Sequence, residues 1–329
     1  MRAAVITAPG QVEVTTVDDP APGPREVVIA VAGCGVCGTD LHILEGEFAP
    51  SLPIVPGHEF AGEVVAIGAE VTEVSVGDRV AADPNTYCGE CYYCRRGRGN
   101  LCERFAAVGV TKPGAAAEYT LAPAANCFVL PAGVDPADAA LIEPLSCAVH
   151  AYDVLKAAVA GHFLVYGAGT MGLMMMELAK HAGATTVSVV DINEDKLAVA
   201  RELGCTAAVT SAEALDRARG WDVVVDCTGA IGAIEDGLRR VGKGGTFLQF
   251  GVARETATAE ISPYRIYREE ITIRGSFAVL NSYERAAELF VAGVLRPDVM
   301  VSHRLPLDSY PEALETVRAG TGRKVLVHP

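Results

Sequence analysis

A glycine-rich turn between a strand and a helix constrains the fold of this chain more than any other feature. The run FLVYGAGTMG carries Gly167, Gly169 and Gly172 in the spacing G-x-G-x-x-G, and Thr170 and Met171 open the helix that follows. The first glycine permits a tight turn, the second lets a pyrophosphate approach the backbone, and the third lets helix pack on strand. The strand and helix on either side favour a dinucleotide site here over an ordinary glycine-rich turn.

Strands and helices alternate from about residue 160 onward. TVSVVD, DVVVD, GTFLQF and ITIRGS have the composition of strands, and EDKLAVARELG has helical length and spacing. This alternation predicts a parallel sheet with helices on both faces, hence an α/β fold with a doubly wound sheet. Residues 1–140 instead contain short apolar runs between Gly, Pro and Asp turns, which predicts a β-rich region. A chain of 329 residues suits two domains.

The end of the second predicted strand indicates which nucleotide is bound. TVSVVD ends in Asp191, whose carboxylate can accept hydrogen bonds from the adenosine ribose hydroxyls and would repel a 2′-phosphate. Ile192 and Asn193 follow, so no Arg stands there to neutralise such a phosphate. The sequence therefore predicts NAD rather than NADP, although Asp191 could also simply cap the next helix.

Charge and hydropathy exclude two classes of partner. The formal net charge is −14, and RRGR at 95–98 is the only tight basic cluster, which argues against nucleic acid. No apolar run approaches the length of a membrane-spanning helix, and the first residues lack the pattern of a signal peptide. We expect a cytoplasmic protein with a small-molecule substrate.

Four cysteines within YCGECYYCRRGRGNLC form the strongest metal signature. Cys88, Cys91, Cys94 and Cys102 have the spacing C-x2-C-x2-C-x7-C. A four-thiolate shell has no open position and suits structural zinc; an iron–sulfur cluster and free thiols are the alternatives. Five other cysteines stand singly in apolar surroundings and are expected to be inert: Cys34, Cys127, Cys147, Cys205 and Cys227.

Three further segments hold candidate metal ligands and polar groups. They are GVCGTDLH, PGHEFAGEV and LIEPLSCAVHA, with Cys37, Thr39, Asp40 and His42 in the first, His58 and Glu59 in the second, and Glu143 in the third. None of these segments makes a site alone. Their combination with the glycine turn and the four cysteines is far more specific.

That combination resembles the zinc-dependent medium-chain dehydrogenases and reductases, and is similar to their sorbitol and threonine dehydrogenase branch. The resemblance extends from Arg2 to the C-terminus. It implies a discontinuous GroES-like zinc-binding catalytic domain formed by residues 1–148 and 283–329. It also implies a Rossmann NAD-binding domain over 149–282, two zinc ions per chain, and a homodimer or homotetramer.

The resemblance also implies the catalytic metal ligands. They would be Cys37, His58 and a third group, either Glu59 or Glu143, and Cys147 could compete with Glu143. Classical alcohol dehydrogenases have a cysteine where this chain has Glu143, whereas polyol-type members have Glu in a similar EPLS context. The zinc would bind the substrate hydroxyl and lower its pKa, and hydride would pass to the nicotinamide.

Family position also implies the proton path. Thr39 would be the first proton carrier and His42 a candidate last one, although His42 could equally be an ordinary surface histidine. Asp40 would support the metal ligands from behind.

The leading function is therefore oxidation of a secondary alcohol of a polyol, sugar alcohol or cyclitol by NAD. An amino-alcohol dehydrogenase acting on threonine or an aminocyclitol is the alternative within the enzyme class. A zinc-free relative would lack Cys37 or His58, and a zinc-finger interaction module would not need the glycine turn. Both outside classes are disfavoured.

Overall fold

The computed structural model describes residues 1–47, 51–157, 159–215 and 217–329. Within those ranges the chain forms two compact units. One contains Met1–Ser146 together with Val279–Pro329, and the other contains Cys147–Ala278. Over the same ranges, no helix combines the length and the apolar character needed to cross a membrane.

Strands dominate the first part of the chain, and strands alternate with helices in the second. The strands are β1 (Arg2–Ala8), β2 (Gln11–Thr16), β3 (Glu26–Val36), β4 (Glu59–Ile67), β5 (Arg79–Ala82), β6 (Asn85–Thr86), β7 (Ala106–Ala107), β8 (Tyr119–Pro123), β9 (Cys127–Val129), β10 (His162–Tyr166), β11 (Thr186–Val190), β12 (Ala207–Val209), β13 (Trp221–Asp226), β14 (Val241–Gln249), β15 (Thr272–Gly275), β16 (Val301–Pro306) and β17 (Lys324–His328). The α-helices are α1 (Gly38–Leu44), α2 (Ile142–Leu155), α3 (Thr170–His181), α4 (Glu194–Glu202), α5 (Ile231–Arg240), α6 (Pro263–Glu269), α7 (Tyr283–Val291), α8 (Pro297–Met300) and α9 (Tyr310–Arg318).

The first unit is built on a seven-stranded sheet in the order β16-β17-β3-β4-β5-β9, with β8 paired to β3. The last strand of the chain, β17, runs antiparallel to β3, so that Leu326 lies opposite Gly35. Phe60 and Tyr310 are completely buried in the core of this unit. Pairing of β17 with β3 brings the C-terminal segment into the same sheet as the first strands.

The second unit contains a six-stranded, wholly parallel sheet in the order β12-β11-β10-β13-β14-β15. Its central strands are rich in Val, Leu and Phe, as expected for strands covered on both faces. The chain winds outward from β10 in one direction and from β13 in the other. The crevice between the carboxyl ends of β10 and β13 is therefore the topological switch point, where open α/β sheets bind ligands.

The predicted α/β class and parallel sheet are confirmed, and every strand predicted after residue 160 is present. Two elements depart from the sequence interpretation. β14 begins at Val241 rather than near Gly245, and α1 forms within a region predicted to be β-rich. α1 is only 7 residues long, too short for helical periodicity to identify it.

Candidate active site

Cys37, His58 and Glu59 meet at one end of the β3–β4 pair. Cys37 follows the last residue of β3 and is the N-cap of α1, while Glu59 opens β4. In the antiparallel register Gly35 lies opposite Glu59, so the two chain segments present their side chains at the same edge. The Cys37 sulfur, a His58 ring nitrogen and a Glu59 carboxylate oxygen all lie within 4.8 Å of one another. This mixture of donors suits zinc.

A buried ion pair holds Glu59. Lys324 Nζ, at the start of β17, lies 2.7 Å from Glu59 Oε1 and 2.5 Å from Oε2. Glu59 is 1% exposed and Lys324 is 3% exposed, so neither charge is solvated and each depends on the other. A side chain at position 35 would occupy the space of the Glu59 carboxylate, which explains the glycine in β3.

His58 has a ring nitrogen that fits a metal ligand. Its Nδ1 is buried, lies 3.7 Å from Asp40 Oδ1, and has no hydrogen-bond partner among the described residues. Asp40 is completely buried and accepts hydrogen bonds from the Cys37 N–H (2.9 Å) and the Gly57 N–H (3.3 Å). Asp40 thus orders the backbone on both sides of the ligand set, the kind of support that metal sites use. Burial lowers the pKa of His58, but Asp40 and Cys37 raise it by more, to well above its usual value.

Glu143 is a further buried carboxylate of the same unit, besides Asp40 and Glu59. It lies in the first turn of α2, is 6% exposed, and is outside the 4.8 Å set. Burial raises the pKa of Glu143 to about 7, because desolvation and the charges of Glu59 and Asp83 outweigh the opposing effect of His58 and Lys324. Its carboxyl group can therefore bind or release a proton near neutral pH.

The two residues predicted to move protons occupy α1. Thr39 is half-buried, and its Oγ1 lies 3.7 Å from the Cys37 sulfur. His42 is also half-buried and its Nδ1 lies 2.6 Å from Glu47 Oε2. Thr39 therefore borders the ligand set directly, whereas His42 is oriented by a carboxylate.

The four clustered cysteines converge on one point. Their Sγ–Sγ separations include 3.5 Å for Cys88–Cys102 and 3.9 Å for both Cys88–Cys94 and Cys91–Cys102. These values match the edge of a tetrahedron with metal–sulfur bonds of about 2.3 Å, which is about 3.8 Å. They are much too long for disulfides, and no disulfide joins any of the ten cysteines, all of which lie in the described part of the chain.

Backbone N–H groups face these sulfurs. The Cys88 N–H donates to the Cys102 sulfur at 3.4 Å, and the Cys91 N–H donates to the Cys88 sulfur at 3.3 Å. Hydrogen bonds from backbone N–H groups to the Cys88 sulfur, chiefly from Glu90, lower the pKa of Cys88 to about 6. N–H donors that stabilise thiolates are suited to metal binding.

The glycine turn forms the predicted strand–turn–helix in the second unit. Gly167 has φ +97°, a conformation that side-chain-bearing residues rarely adopt, and Gly169 is the N-cap of α3. A side chain at Gly172 would meet the Gly167 carbonyl. Thr170 and Met171 form the first turn of α3, so their backbone N–H groups belong to the helix end that would face an anion.

Asp191 holds this turn from the side of β11. Its Oδ2 accepts a hydrogen bond from the Ala168 N–H at 2.7 Å, and its Oδ1 accepts one from the Asn193 N–H at 2.8 Å. Asn193 rather than Asp191 caps α4. The capping alternative for Asp191 is therefore wrong, and both oxygens keep a lone pair for further donors.

Lys324 is the site residue that sequence reasoning missed. Its only signal is a charged residue at the head of the apolar strand KVLVH, where a solvated strand end is the obvious interpretation. Its partner is 265 positions away in the chain, so no local pattern could identify the pair. Cys147, weighed as a competing ligand, is outside the 4.8 Å set.

Comparison with known proteins gives consistent matches. Residues 23–132 match the alcohol dehydrogenase GroES-like domain, and residues 170–292 match the zinc-binding dehydrogenase family. The chain is 37% identical to D-arabinitol dehydrogenase 1 of Uromyces fabae, over 100% of this chain and 97% of that protein. It is also 37% identical to L-threonine 3-dehydrogenase of Saccharopolyspora erythraea, over 99% of this chain and 98% of that protein.

A solved structure agrees with these matches. A zinc-binding dehydrogenase from Sinorhizobium meliloti 1021, bound to NADP, has 36% identity and a TM-score of 0.96, covering 100% of this chain and 99% of that one. The chain and these relatives align over nearly their whole lengths. The chain therefore belongs to the zinc-binding dehydrogenases of the alcohol dehydrogenase family.

Proposed function

We propose that this protein oxidises a secondary alcohol of a polyol, sugar alcohol or cyclitol with NAD as hydride acceptor. The observation that carries the proposal is the Cys37–His58–Glu59 set, in which His58 and Glu59 are buried, with a further buried carboxylate, Glu143, in the same unit. The set contains one thiolate, where classical alcohol dehydrogenases have two. The similarity to a D-arabinitol dehydrogenase supports the same substrate class.

In this proposal Cys37, His58 and Glu59 hold the catalytic metal, and Cys88, Cys91, Cys94 and Cys102 hold the structural one. A bound zinc ion would act as a Lewis acid toward the substrate oxygen. The 4.8 Å grouping favours Glu59 over Glu143 as the third ligand. Residues 1–148 and 283–329 would form the zinc-binding catalytic domain, and 149–282 the NAD-binding domain.

The chain's own groups have separate tasks around the metal. Lys324 fixes the Glu59 carboxylate and balances its charge, and Asp40 fixes the backbone at Cys37. Thr39 accepts the hydroxyl proton of the substrate and passes it toward solvent, with His42 as the outer carrier. Thr39→Ala should lower kcat by about 10²-fold or more, the range of positioned proton transfer, whereas Thr39→Ser should retain most of it. An unchanged kcat in Thr39→Ala would exclude the relay.

Asp191 selects NAD in this proposal. The segment after it contains Glu194 and Asp195 and no cation before Lys196, so a 2′-phosphate would meet negative charge along this segment. The similar Sinorhizobium protein was solved with NADP. The preference of this protein for NAD over NADP is therefore a sharp test of the role of Asp191. We expect a higher kcat/KM with NAD than with NADP, and Asp191→Ser should narrow the difference.

The second candidate function is oxidation of an amino alcohol. It is favoured by the 37% identity to an L-threonine 3-dehydrogenase over nearly the whole chain. The two candidates share the metal set, the glycine turn and the hydride chemistry. They differ only in whether the substrate presents an ammonium group or further hydroxyls beside the reacting carbon.

The test is NADH formation across polyols, cyclitols, aminocyclitols, threonine and simple alcohols, before and after removal of the metal. Turnover of a polyol or cyclitol that ends on metal removal and returns with zinc is the expected result. Preferential turnover of threonine or an aminocyclitol would select the second candidate. A protein that holds zinc and NADH but oxidises none of these substrates would contradict both.

We also propose a cytoplasmic homo-oligomer, a dimer or a tetramer. The exposed edge strand β15 and its continuation offer apolar side chains for such contacts, with Ile273 43% and Phe277 56% exposed. Clustered cysteines that bind metal rather than form disulfides are typical of a reducing compartment, which supports the cytoplasmic location. Light scattering of the purified protein would give the number of subunits.

A further inference from the structure

A second aspartate, Asp226, ends the strand on the opposite side of the switch-point crevice from β10. It is the last residue of β13, and its side chain is completely buried. Within the described part of the chain no Lys or Arg forms an ion pair with it. An unpaired buried carboxylate is costly unless several donors face it.

Four donors surround this carboxylate, and all are neutral. Oδ1 accepts hydrogen bonds from the Thr228 hydroxyl (2.6 Å) and the Thr228 N–H (3.1 Å). Oδ2 accepts from the Gly229 N–H (2.9 Å) and from Gln249 Nε2 (2.8 Å). The main-chain carbonyl of Asp226 accepts from the N–H groups of Phe250 and Gly251, at 3.0 and 2.8 Å. One residue thus ties together the loops that follow β13 and β14.

The first of these loops lies against the glycine turn. A Cβ added at Gly167 would come within 3.0 Å of Thr228 Cγ2 and 3.5 Å of the Cys227 carbonyl carbon. The Cys227 N–H also donates to the Tyr166 carbonyl at 2.9 Å. The segment Cys227–Gly229 is therefore the wall that faces the glycine turn across the crevice.

The sheet order indicates which part of a dinucleotide this wall would meet. Asp191 follows β11, on one side of β10, whereas β13 and β14 lie on the other side. A dinucleotide with its adenosine ribose at Asp191 and its pyrophosphate at the glycine turn would extend its nicotinamide riboside toward the loops after β13 and β14.

We infer that Asp226 is a positioning residue for the nicotinamide half of the cofactor. Its buried carboxylate fixes the Thr228 hydroxyl and the Gly229 N–H, and so fixes the wall on which the nicotinamide riboside rests. The inference rests on the proposed NAD-dependent function. It assigns Asp226 no proton transfer and no direct contact with the reacting atoms.

Binding of NADH and of AMP to the same variants tests the inference, because AMP probes only the adenosine half. Asp226→Asn replaces an acceptor with a donor and leaves a buried N–H unsatisfied. It should weaken NADH binding by about tenfold and lower kcat, while AMP affinity stays within about twofold and the KM of the alcohol is unchanged. Thr228→Val, which keeps the shape but removes the hydroxyl, should act in the same direction, and Thr228→Ser should bind NADH as the parent does.

The opposite outcomes are distinct. Unchanged NADH affinity and kcat in both Asp226→Asn and Thr228→Val would overturn the inference. A parallel loss of NADH and AMP binding with a lowered Tm would assign Asp226 to folding alone and overturn it as well. If Asp226→Asn does not fold, NADH binding by Thr228→Val and Thr228→Ser tests the inference instead. A parent protein that binds neither NADH nor AMP would instead contradict the proposed function on which the inference depends.

Discussion

The four-cysteine set and the Cys37–His58–Glu59 set of the first unit are built in opposite ways. The four-cysteine set comes from one segment of fifteen residues, Cys88 to Cys102, and uses a single ligand type with backbone N–H groups facing the sulfurs. The other set mixes a thiolate, an imidazole and a carboxylate, and is supported by Asp40 and by Lys324 from the far end of the chain.

This difference separates a set suited to holding structure from one suited to chemistry. Four thiolates complete a tetrahedron and leave no position for a substrate, whereas three protein ligands leave one open. The mixed set is also surrounded by buried charges, whose energies respond strongly to any change nearby. The contrast predicts that damage to the mixed set changes activity and, where a buried charge loses its partner, also stability, while damage to the four-cysteine set lowers stability and spares activity.

The largest expected effect follows removal of His58. His58→Ala should lower kcat/KM by more than about 10³-fold, because the Lewis acid would be lost or misplaced. Metal analysis should then find one zinc per chain instead of two, with a moderate fall in Tm because a buried side chain and a bound metal are both lost. His181→Ala, on the exposed end of α3, is the matched control and should retain full activity. Retention of both zinc ions in the inactive variant would break the contrast between the two sets.

Removal of Lys324 should cost stability rather than abolish folding. Lys324→Met leaves the buried Glu59 carboxylate without its partner, which should reduce the free energy of unfolding by about 3–5 kcal/mol. The double variant Glu59→Gln/Lys324→Met should recover much of that loss. Arg25→Met breaks the exposed pair with Glu70 and should leave the free energy of unfolding nearly unchanged. If denaturant titrations gave equal losses of unfolding free energy for Lys324→Met and Arg25→Met, burial would not explain the strength of the Glu59–Lys324 pair.

The same contrast explains what the sequence could predict. The four cysteines, the glycine turn and Asp191 lie within short segments whose spacing has a direct physical reason, so each is recognisable locally. Lys324, by contrast, depends on the pairing of β17 with β3, and Asp226 depends on the loops after two different strands. Contacts of that kind are decided by sheet topology, which local patterns do not encode.

The choice between Glu59 and Glu143 shows the same limit. Both carboxylates are plausible ligands by residue type and motif. Only the register of β3 and β4 brings the Glu59 carboxylate into the 4.8 Å set while Glu143 stays outside it. Which of them binds the metal directly stays a prediction, favoured for Glu59 by that grouping.

Glu143 should make the stability of the protein without its catalytic metal depend on pH. Its pKa is about 7 in the folded protein and near 4.5 in the unfolded chain. The folded state therefore favours the protonated carboxyl group, and this contribution to the free energy of unfolding is full below pH 4.5 and is lost as pH rises through 7. Between pH 5 and 8 the parent should lose up to about 3 kcal/mol relative to Glu143→Gln, by urea titration. Glu312→Gln, on the surface of α9, should follow the parent. Parallel curves for the parent and Glu143→Gln would mean that the carboxyl group is solvated.

The smallest expected effect follows damage to the four-cysteine set. Cys88→Ser leaves three thiolates, which should bind zinc more weakly and lower the Tm by a few degrees. Activity at low temperature should stay close to that of the parent, because the ligands at Cys37, His58 and Glu59 are untouched. Cys205→Ser, a single cysteine after α4, is the control and should change neither zinc content nor Tm. Loss of turnover in Cys88→Ser with the catalytic zinc still bound would show that this set takes part in the chemistry, and the separation of structural from catalytic metal would fail.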